Sequence, residues 1–286
     1  MSTLYVSDLD GTLLDAQGRI SAQSVQLLNG LLARGMHFTV ATARSPATVI
    51  ELLREVDLRL PAVLMTGTMI YDVKAKRVLA TTHFPDSVRD ALCDLLDLTG
   101  QEALVYRVEN SRLRVHYREI RTRFESDFVA ERWLSPYKTF VRVKSYRQTA
   151  PGGDMLLVMM CLDDAVSASQ WYKAFVQLDG VVCYCYANEY GKGYTVEVYP
   201  AGCDKSTGIE TVRRLAGADR VVAFGDNVND LPLFAASDEC CAVSGAVDAV
   251  KDAATHVIGG NGEDGVARWI AADFNESETP AHAGTL

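Results

Sequence analysis

The stretch that decides the fold is residues 4–41, LYVSDLDGTLLDAQGRISAQSVQLLNGLLARGMHFTVA. The apolar run Leu4–Ser7 predicts one strand, and the run His37–Ala41 predicts another. Between them, Ser21 is a suitable helix N-cap, and apolar residues recur at helical spacing until Gly35 ends the segment. A strand, a helix and a second strand in this order indicate a parallel pair of strands with the helix packed on one face.

The same alternation continues on both sides of this stretch. Ser45 begins a second predicted helix, and Leu60–Met65 predicts a third strand. Near the far end, a helix predicted over Ser206–Leu215 is followed by the predicted strands Arg220–Phe224 and Cys240–Val243. We therefore expect an α/β fold in which both ends of the chain build one Rossmann-like parallel sheet.

The middle of the chain has a different pattern. Short alternating runs such as Leu104–Val108 are mixed with helix patterns such as Asp164–Leu178, which is typical of an α+β domain. We predict a core in two parts, residues 1–82 and 200–274. Residues 83–199 form an inserted α+β cap domain between them, and residues 275–286 form a disordered tail.

Composition excludes several classes of protein. The 286 residues carry 28 Lys and Arg against 37 Asp and Glu, and a net charge of −9 disfavours nucleic acid as a partner. The longest purely apolar run, Met155–Leu162, is too short to cross a membrane, and aspartates appear before any signal-type stretch. Seven cysteines without CxxC spacing predict buried free thiols in a cytoplasmic protein: Cys93, Cys161, Cys183, Cys185, Cys203, Cys240 and Cys241.

Polar side chains follow the predicted core strands. Asp8 and Asp10 follow the first strand, Thr42 follows the second, Lys205 precedes a helix, and Asp226 opens an Asx-rich loop. Taken singly, these groups are typical of an acidic turn, a helix cap, a surface lysine and a capping turn. Because the carboxyl ends of parallel strands meet at one edge of a sheet, we expect the groups to converge. Carboxylates, a hydroxyl and an ammonium group suit magnesium-assisted phosphoryl transfer.

The segments DLDGT (8–12), TAR (42–44), DKS (204–206) and GDNVND (225–230) occur in this order. Together they resemble the four motifs of the haloacid dehalogenase superfamily. The position of the insert, between the third strand and the lysine, resembles the Cof-type sugar-phosphatase branch. The resemblance implies a Mg²⁺-dependent phosphatase that acts on a small phosphate ester through a phospho-aspartate.

The resemblance also implies roles for individual residues. The implied catalytic residues are the nucleophile Asp8, the general acid and base Asp10, and Lys205. The implied contacts to the phosphate group are Thr42, Ala43, Arg44 and Asn229. The implied holders of Mg²⁺ are Asp8, Asp10 through its backbone carbonyl, and Asp226, and the implied supporting residues are Asn227 and Asp230.

Three positions depart from the family pattern, and two other functions stay open. Thr66, Ala43 and Ser206 stand where related chains often have Asn, Gly and Gly, and Thr66 lacks an amide that both donates and accepts hydrogen bonds. A phosphomutase would use the same nucleophile, and a binding protein would keep the site without turnover. The sequence identifies neither the phosphate ester nor the oligomeric state.

A basic segment lies inside the insert. Residues 105–147 contain 11 Lys and Arg against 5 Asp and Glu. Four basic side chains alternate with Leu113, Val115 and Tyr117, so a strand would place them on one sheet face: Arg112, Arg114, His116 and Arg118. This face is either a solvated outer surface or a surface that binds an acidic substrate.

Overall fold

The computed structural model describes residues 2–147, 153–187 and 193–278. The chain forms two compact units, one made of Met1–Lys76 with Asp204–Leu286 and the other of Arg77–Cys203. The first unit is a parallel-sheet α/β core and the second is an inserted α+β unit, as predicted. The role of the insert as a cap domain stays a prediction.

The strands and helices are numbered along the chain. The strands are β1 (Thr3–Ser7), β2 (His37–Val40), β3 (Ala62–Leu64), β4 (Met69–Asp72), β5 (Arg77–Thr81), β6 (Leu104–Glu109), β7 (Arg112–Tyr117), β8 (Lys138–Arg142), β9 (Asp154–Leu162), β10 (Val181–Ala187), β11 (Tyr194–Pro200), β12 (Arg220–Gly225), β13 (Glu239–Val243) and β14 (His256–Ile258). The helices are α1 (Ala22–Ala33), α2 (Pro46–Leu52), α3 (Asp86–Thr99), α4 (Arg123–Arg132), α5 (Ala165–Phe175), α6 (Ile209–Ala216), α7 (Leu231–Ala235), α8 (Asp248–Ala253) and α9 (Gly265–Glu278).

A five-stranded parallel sheet forms the centre of the first unit, in the order β14-β13-β12-β1-β2. The last residue of β1, Ser7, is in register with Val40 of β2 and Phe224 of β12. The loops that follow these three strands therefore leave the sheet side by side. This register is what allows side chains from distant parts of the sequence to meet.

Large apolar side chains hold this sheet together. Tyr5, Phe38 and Phe224 of its three central strands are fully buried. Leu28 of α1 and Ile270 of α9 are also fully buried, and these two helices pack on each other. Burial of each such side chain contributes about 1.5–3 kcal/mol to the free energy of unfolding. The carboxyl ends of these strands are therefore a rigid support for the loops that follow them.

The inserted unit has a sheet of six strands, in the order β10-β11-β9-β6-β7-β8, and all neighbours are antiparallel except β7 and β8. Leu92 of α3 and Phe175 of α5 are fully buried against Val105, Val158 and their neighbours in the sheet. The insert therefore has a hydrophobic core of its own.

At the far end, one predicted helix begins later than expected and one helix was not predicted. Helix α6 begins at Ile209 rather than at Ser206, because Gly208 has φ +91° and leaves the helical region. Helix α9 was not predicted, although its buried residues Val266 and Ile270 have helical spacing. Because α9 continues through Glu278, residues 275–278 of the predicted disordered tail are helical, and residues 279–286 lie outside the described residues.

The cysteine prediction was wrong for one residue. All seven cysteines are free thiols and six of them are buried, but Cys185 is exposed. Cys185 lies on β10, at the edge of the insert sheet, where no further strand covers it within the described ranges. No helix among these residues combines the length and the apolar character needed to cross a membrane.

Acidic groups of the same unit lie beside three of the four basic side chains in or directly after β7: Arg114, His116 and Arg118. Arg114 Nε and His116 Nε2 each lie 3.2 Å from the Glu109 carboxylate. Arg118 lies 3.4 Å from both Asp97 and Glu102. Much of the positive charge in this segment is therefore neutralised inside the insert.

Lys138, at the start of β8, is a buried lysine among aromatic rings. Its side-chain nitrogen lies 5.0 Å from the ring centre of Tyr106, 5.4 Å from that of Phe128 and 5.8 Å from that of Phe140. Burial and the nearby charge of Arg132 lower the pKa of Lys138 to about 7. The unfolded chain, with a lysine pKa of about 10.4, takes up this proton at a higher pH than the folded protein does.

We expect Lys138→Met to raise the free energy of unfolding by about 1–3 kcal/mol near pH 6, and by much less near pH 10. The sign follows because the folded state binds this proton less tightly than the unfolded chain does, so the cost of the lysine is complete below about pH 7 and disappears only as pH rises towards the unfolded pKa. Urea unfolding at both pH values measures the difference, and Lys144→Met, at an exposed lysine, is the control. An equal gain at both pH values would contradict the assignment.

Candidate active site

A buried lysine lies at the centre of the site. Lys205 is 1% exposed, and its Nζ lies 2.8 Å from Asp8 Oδ1, 2.6 Å from Asp230 Oδ1 and 3.3 Å from Asn229 Oδ1. Burial alone would lower the pKa of Lys205, but the carboxylates of Asp8 and Asp230 raise it above its ordinary value. The side chain is therefore an ammonium group that joins two loops.

Asp8 is the carboxylate that follows β1. Its backbone N–H donates to the carbonyl oxygen of Phe224 at 3.0 Å, so the residue is fixed at the end of the sheet. Burial raises the pKa of Asp8 to about 7, although Lys205 acts in the opposite direction, and Asp230 adds to the rise. A further positive charge beside Asp8 would therefore stabilise its ionised form.

Asp226, which follows β12, is held by the loop that follows β1. Thr12 Oγ1 donates to Asp226 Oδ1 at 2.9 Å. A Cβ atom on Gly11 would lie 2.4 Å from Asp226 Oδ2, so only glycine allows this close approach. Thr12 is a site residue that the sequence analysis missed, and its place in DLDGT, two residues after Asp10, was the available signal.

Asp230 orders the loop that carries Asp226. Its Oδ2 accepts the backbone N–H groups of Asp226 at 2.9 Å and Asn227 at 3.0 Å, while its Oδ1 accepts from Lys205. Both oxygens of this fully buried carboxylate are thus engaged. Asp230 therefore acts as a structural acceptor that connects the lysine with the acidic loop.

The acidic cluster has the composition of a divalent-cation site. Asp8, Asp226 and Asp230 each offer a carboxylate oxygen, and these oxygens lie within 4.8 Å of one another. Three carboxylates and one ammonium group leave two negative charges, which a divalent cation would balance. Hard oxygen ligands suit Mg²⁺. Because both Asp230 oxygens already accept hydrogen bonds, Asp8 and Asp226 are the better direct ligands.

The Asp10 carboxylate lies outside this cluster. Arg44 Nε donates to Asp10 Oδ2 at 2.7 Å and Arg44 Nη2 donates to Asp10 Oδ1 at 2.6 Å, so the pair is bidentate. The Asp10 side chain is 55% exposed. The structure thus pairs Asp10, the predicted general acid and base, with Arg44, a predicted contact to the phosphate group.

The remaining predicted residues lie on the same loops. Thr42 is buried after β2, its backbone N–H donates to Val63, and its hydroxyl accepts from the Arg44 N–H at 3.2 Å. Ala43 is exposed between them. The Asn227 side-chain oxygen accepts the N–H of the next residue at 2.7 Å. The Asn227 side chain therefore stabilises the conformation of the loop that follows β12.

A family model described as haloacid dehalogenase-like hydrolase matches residues 5–270. The chain belongs to this family. It is 28% identical over 276 residues to the pyridoxal phosphate phosphatase YbhA of Escherichia coli (strain K12), covering 94% of this chain and 98% of that protein. It is 23% identical over 282 residues to the 5-amino-6-(5-phospho-D-ribitylamino)uracil phosphatase YwtE of Bacillus subtilis (strain 168), covering 92% and 95%.

Solved structures agree on the fold. A haloacid dehalogenase-like hydrolase from Bacteroides thetaiotaomicron superposes with a TM-score of 0.74 at 21% identity, covering 96% of this chain and 100% of the other. A sugar phosphatase of subclass IIB superposes with a TM-score of 0.71 at 18% identity, covering 96% and 99%. The predicted fold and the prediction of an enzyme of this superfamily are confirmed.

One departure of this haloacid dehalogenase-like hydrolase from its family pattern has an energetic consequence. Thr66 has φ +54°, and its N–H donates to the Thr42 carbonyl at 3.1 Å. A β-branched residue is disfavoured in this left-handed region, whereas asparagine adopts it readily. We expect Thr66→Asn to raise the free energy of unfolding by about 1 kcal/mol.

Thermal and urea unfolding measure this effect. Thr139→Asn, at an exposed position on the extended strand β8, is the control and should give no gain. A loss of stability in Thr66→Asn would show that the buried threonine side chain outweighs the backbone cost.

Proposed function

We propose that this haloacid dehalogenase-like hydrolase is a Mg²⁺-dependent phosphatase that hydrolyses a small phosphorylated metabolite through a phospho-aspartate on Asp8. The observation that carries the proposal is the close arrangement of Asp8, Asp226 and Lys205. The two carboxylates follow the adjoining strands β1 and β12, and Lys205 lies 2.8 Å from Asp8. The phosphatase names of two relatives support it. The cytoplasmic location stays a prediction.

Asp8 is the proposed nucleophile. One of its carboxylate oxygens attacks phosphorus, the ester P–O bond breaks, and the leaving oxygen takes a proton. Lys205 opposes the rise that burial causes in the pKa of Asp8, and it stands 2.8 Å from Asp8, where an ammonium group also attracts phosphoryl oxygens. Bound Mg²⁺, held by Asp8, Asp226 and the Asp10 carbonyl, would reduce the repulsion between carboxylate and phosphate.

Asp10 is the proposed general acid and base. It gives its proton to the leaving alcohol and then takes one from the water that attacks the phospho-aspartate. Both of its oxygens accept from Arg44, so at least one of these hydrogen bonds has to be released before Asp10 can act. Thr42, Ala43, Arg44 and Asn229 are the proposed contacts for the phosphoryl oxygens.

A panel of small phosphate esters tests this function. We expect free phosphate to be released with Mg²⁺ present and turnover to be lost when EDTA removes the metal. Phosphate is measured together with any isomerised product, since a phosphomutase would return the phosphoryl group to the substrate. Isomerised product without free phosphate, or no turnover of any ester in the presence of Mg²⁺, would contradict the proposal.

A further inference from the structure

The outer strand of the insert sheet, β10, is unusual for an edge. Its seven residues, VVCYCYA, contain no charged residue and no proline. All seven pair with β11 in an unbroken antiparallel register. In such a strand about half of the backbone N–H and C=O groups point away from the paired neighbour. Within the part of the chain that the structure describes, no strand lies on that outer side.

Two other sheet edges have features that discourage pairing with another chain. β8, at the opposite edge of the same sheet, ends with the exposed Arg142. β14, at an edge of the core sheet, is only three residues long. Natural edge strands are kept from associating by short length, charge, proline or bulges. β10 has none of these protections.

We propose that β10 pairs antiparallel with β10 of a second copy of this chain. Antiparallel pairing of one strand with itself is two-fold symmetric, so each copy supplies the same donors and acceptors. The chain carries a net charge of −9, yet this strand carries none, so the two strands do not repel each other. Pairing also covers Cys185 and Tyr186, which is 46% exposed.

A dimer joined mainly by one strand pair buries little surface. Interfaces below about 1,200 Å² belong to weak or transient complexes. We therefore expect a dissociation constant in the micromolar range, on the order of 10 µM, and a monomer at high dilution.

Sedimentation equilibrium of the full chain, from about 1 µM to about 200 µM, tests the proposal with two variants. Cys185→Lys puts a charge on the β10 edge at an exposed side chain, and Thr139→Lys puts the same charge on the exposed β8 edge. We expect the wild type and Thr139→Lys to dimerise, and Cys185→Lys to associate at least ten-fold more weakly. Equal melting temperatures would show that the lysines leave the fold intact.

Amide hydrogen exchange identifies the surface involved. Exchange at residues 181–187 should slow as the wild-type concentration rises, and should not respond to concentration in Cys185→Lys. A wild type that stays monomeric throughout, or a dimer that Cys185→Lys leaves unchanged, would overturn the proposal. Protection of β10 only by an added unrelated protein would also overturn it, since the partner would then not be a second copy.

Discussion

Asp8→Asn should lower kcat by about 10⁴-fold or more, with little change in the fold. The substitution keeps the size of the side chain and removes the nucleophilic oxygen that would bond to phosphorus. It also removes one negative charge from the acidic cluster, so the affinity for Mg²⁺ should fall. Release of phosphate from the best ester of the panel measures the first effect, and calorimetric titration with Mg²⁺ measures the second.

Asp15→Asn is the matched control. Asp15 lies in the same loop, and its Oδ1 accepts the N–H groups of Gln17 and Arg19, which an asparagine oxygen can also accept. We expect this variant to keep wild-type turnover and Mg²⁺ affinity. Near wild-type turnover in Asp8→Asn would remove Asp8 from the role of nucleophile.

Lys205→Met should lower both activity and stability. The lysine is the cation that contacts the carboxylates of Asp8 and Asp230, and all three side chains are at least nine-tenths buried. Removing one partner of such a group leaves uncompensated buried charge, at a cost of about 3–5 kcal/mol. Turnover should fall as well, because the negative cluster would then repel a phosphate group.

The stability loss in Lys205→Met should depend on pH. Burial already raises the pKa of Asp8 to about 7, and loss of the ammonium group would raise it further. A carboxyl group whose folded pKa is raised favours the folded state at low pH and loses that contribution as pH rises. Without added metal, Lys205→Met should therefore lower the free energy of unfolding by more near pH 8 than near pH 5.

Urea unfolding of metal-free protein at the two pH values measures this dependence. Lys173→Met removes an exposed lysine of the insert and should leave stability unchanged within about 0.5 kcal/mol. A destabilisation of Lys205→Met that does not change with pH would mean that its cause is lost packing rather than unpaired charge.

The convergence of Asp8 and Asp226 could be predicted from sequence. Both directly follow apolar strands, and parallel strands that are neighbours bring the loops at their carboxyl ends to one edge. The strand order β12-β1-β2 places them there. This prediction needs only the type of each element and the direction of the strands.

Side-chain directions in the loops could not be predicted. Lys205 has the sequence context of a surface lysine, and its burial depends on two carboxylates that are distant in sequence. The bidentate pair of Asp10 with Arg44 depends on the conformations of two separate loops. Helix α9, in contrast, had a readable apolar pattern that was missed.

The most direct test of the account is to look for the phosphoryl group on Asp8. The enzyme is mixed with substrate and Mg²⁺, quenched in acid within the first turnover, and digested for mass spectrometry. We predict that the peptide containing Asp8 gains the mass of one phosphoryl group, and that Asp8→Asn shows no such gain. Phosphate release at full rate with no modified Asp8 peptide, or with the phosphoryl group on another residue, would contradict the account.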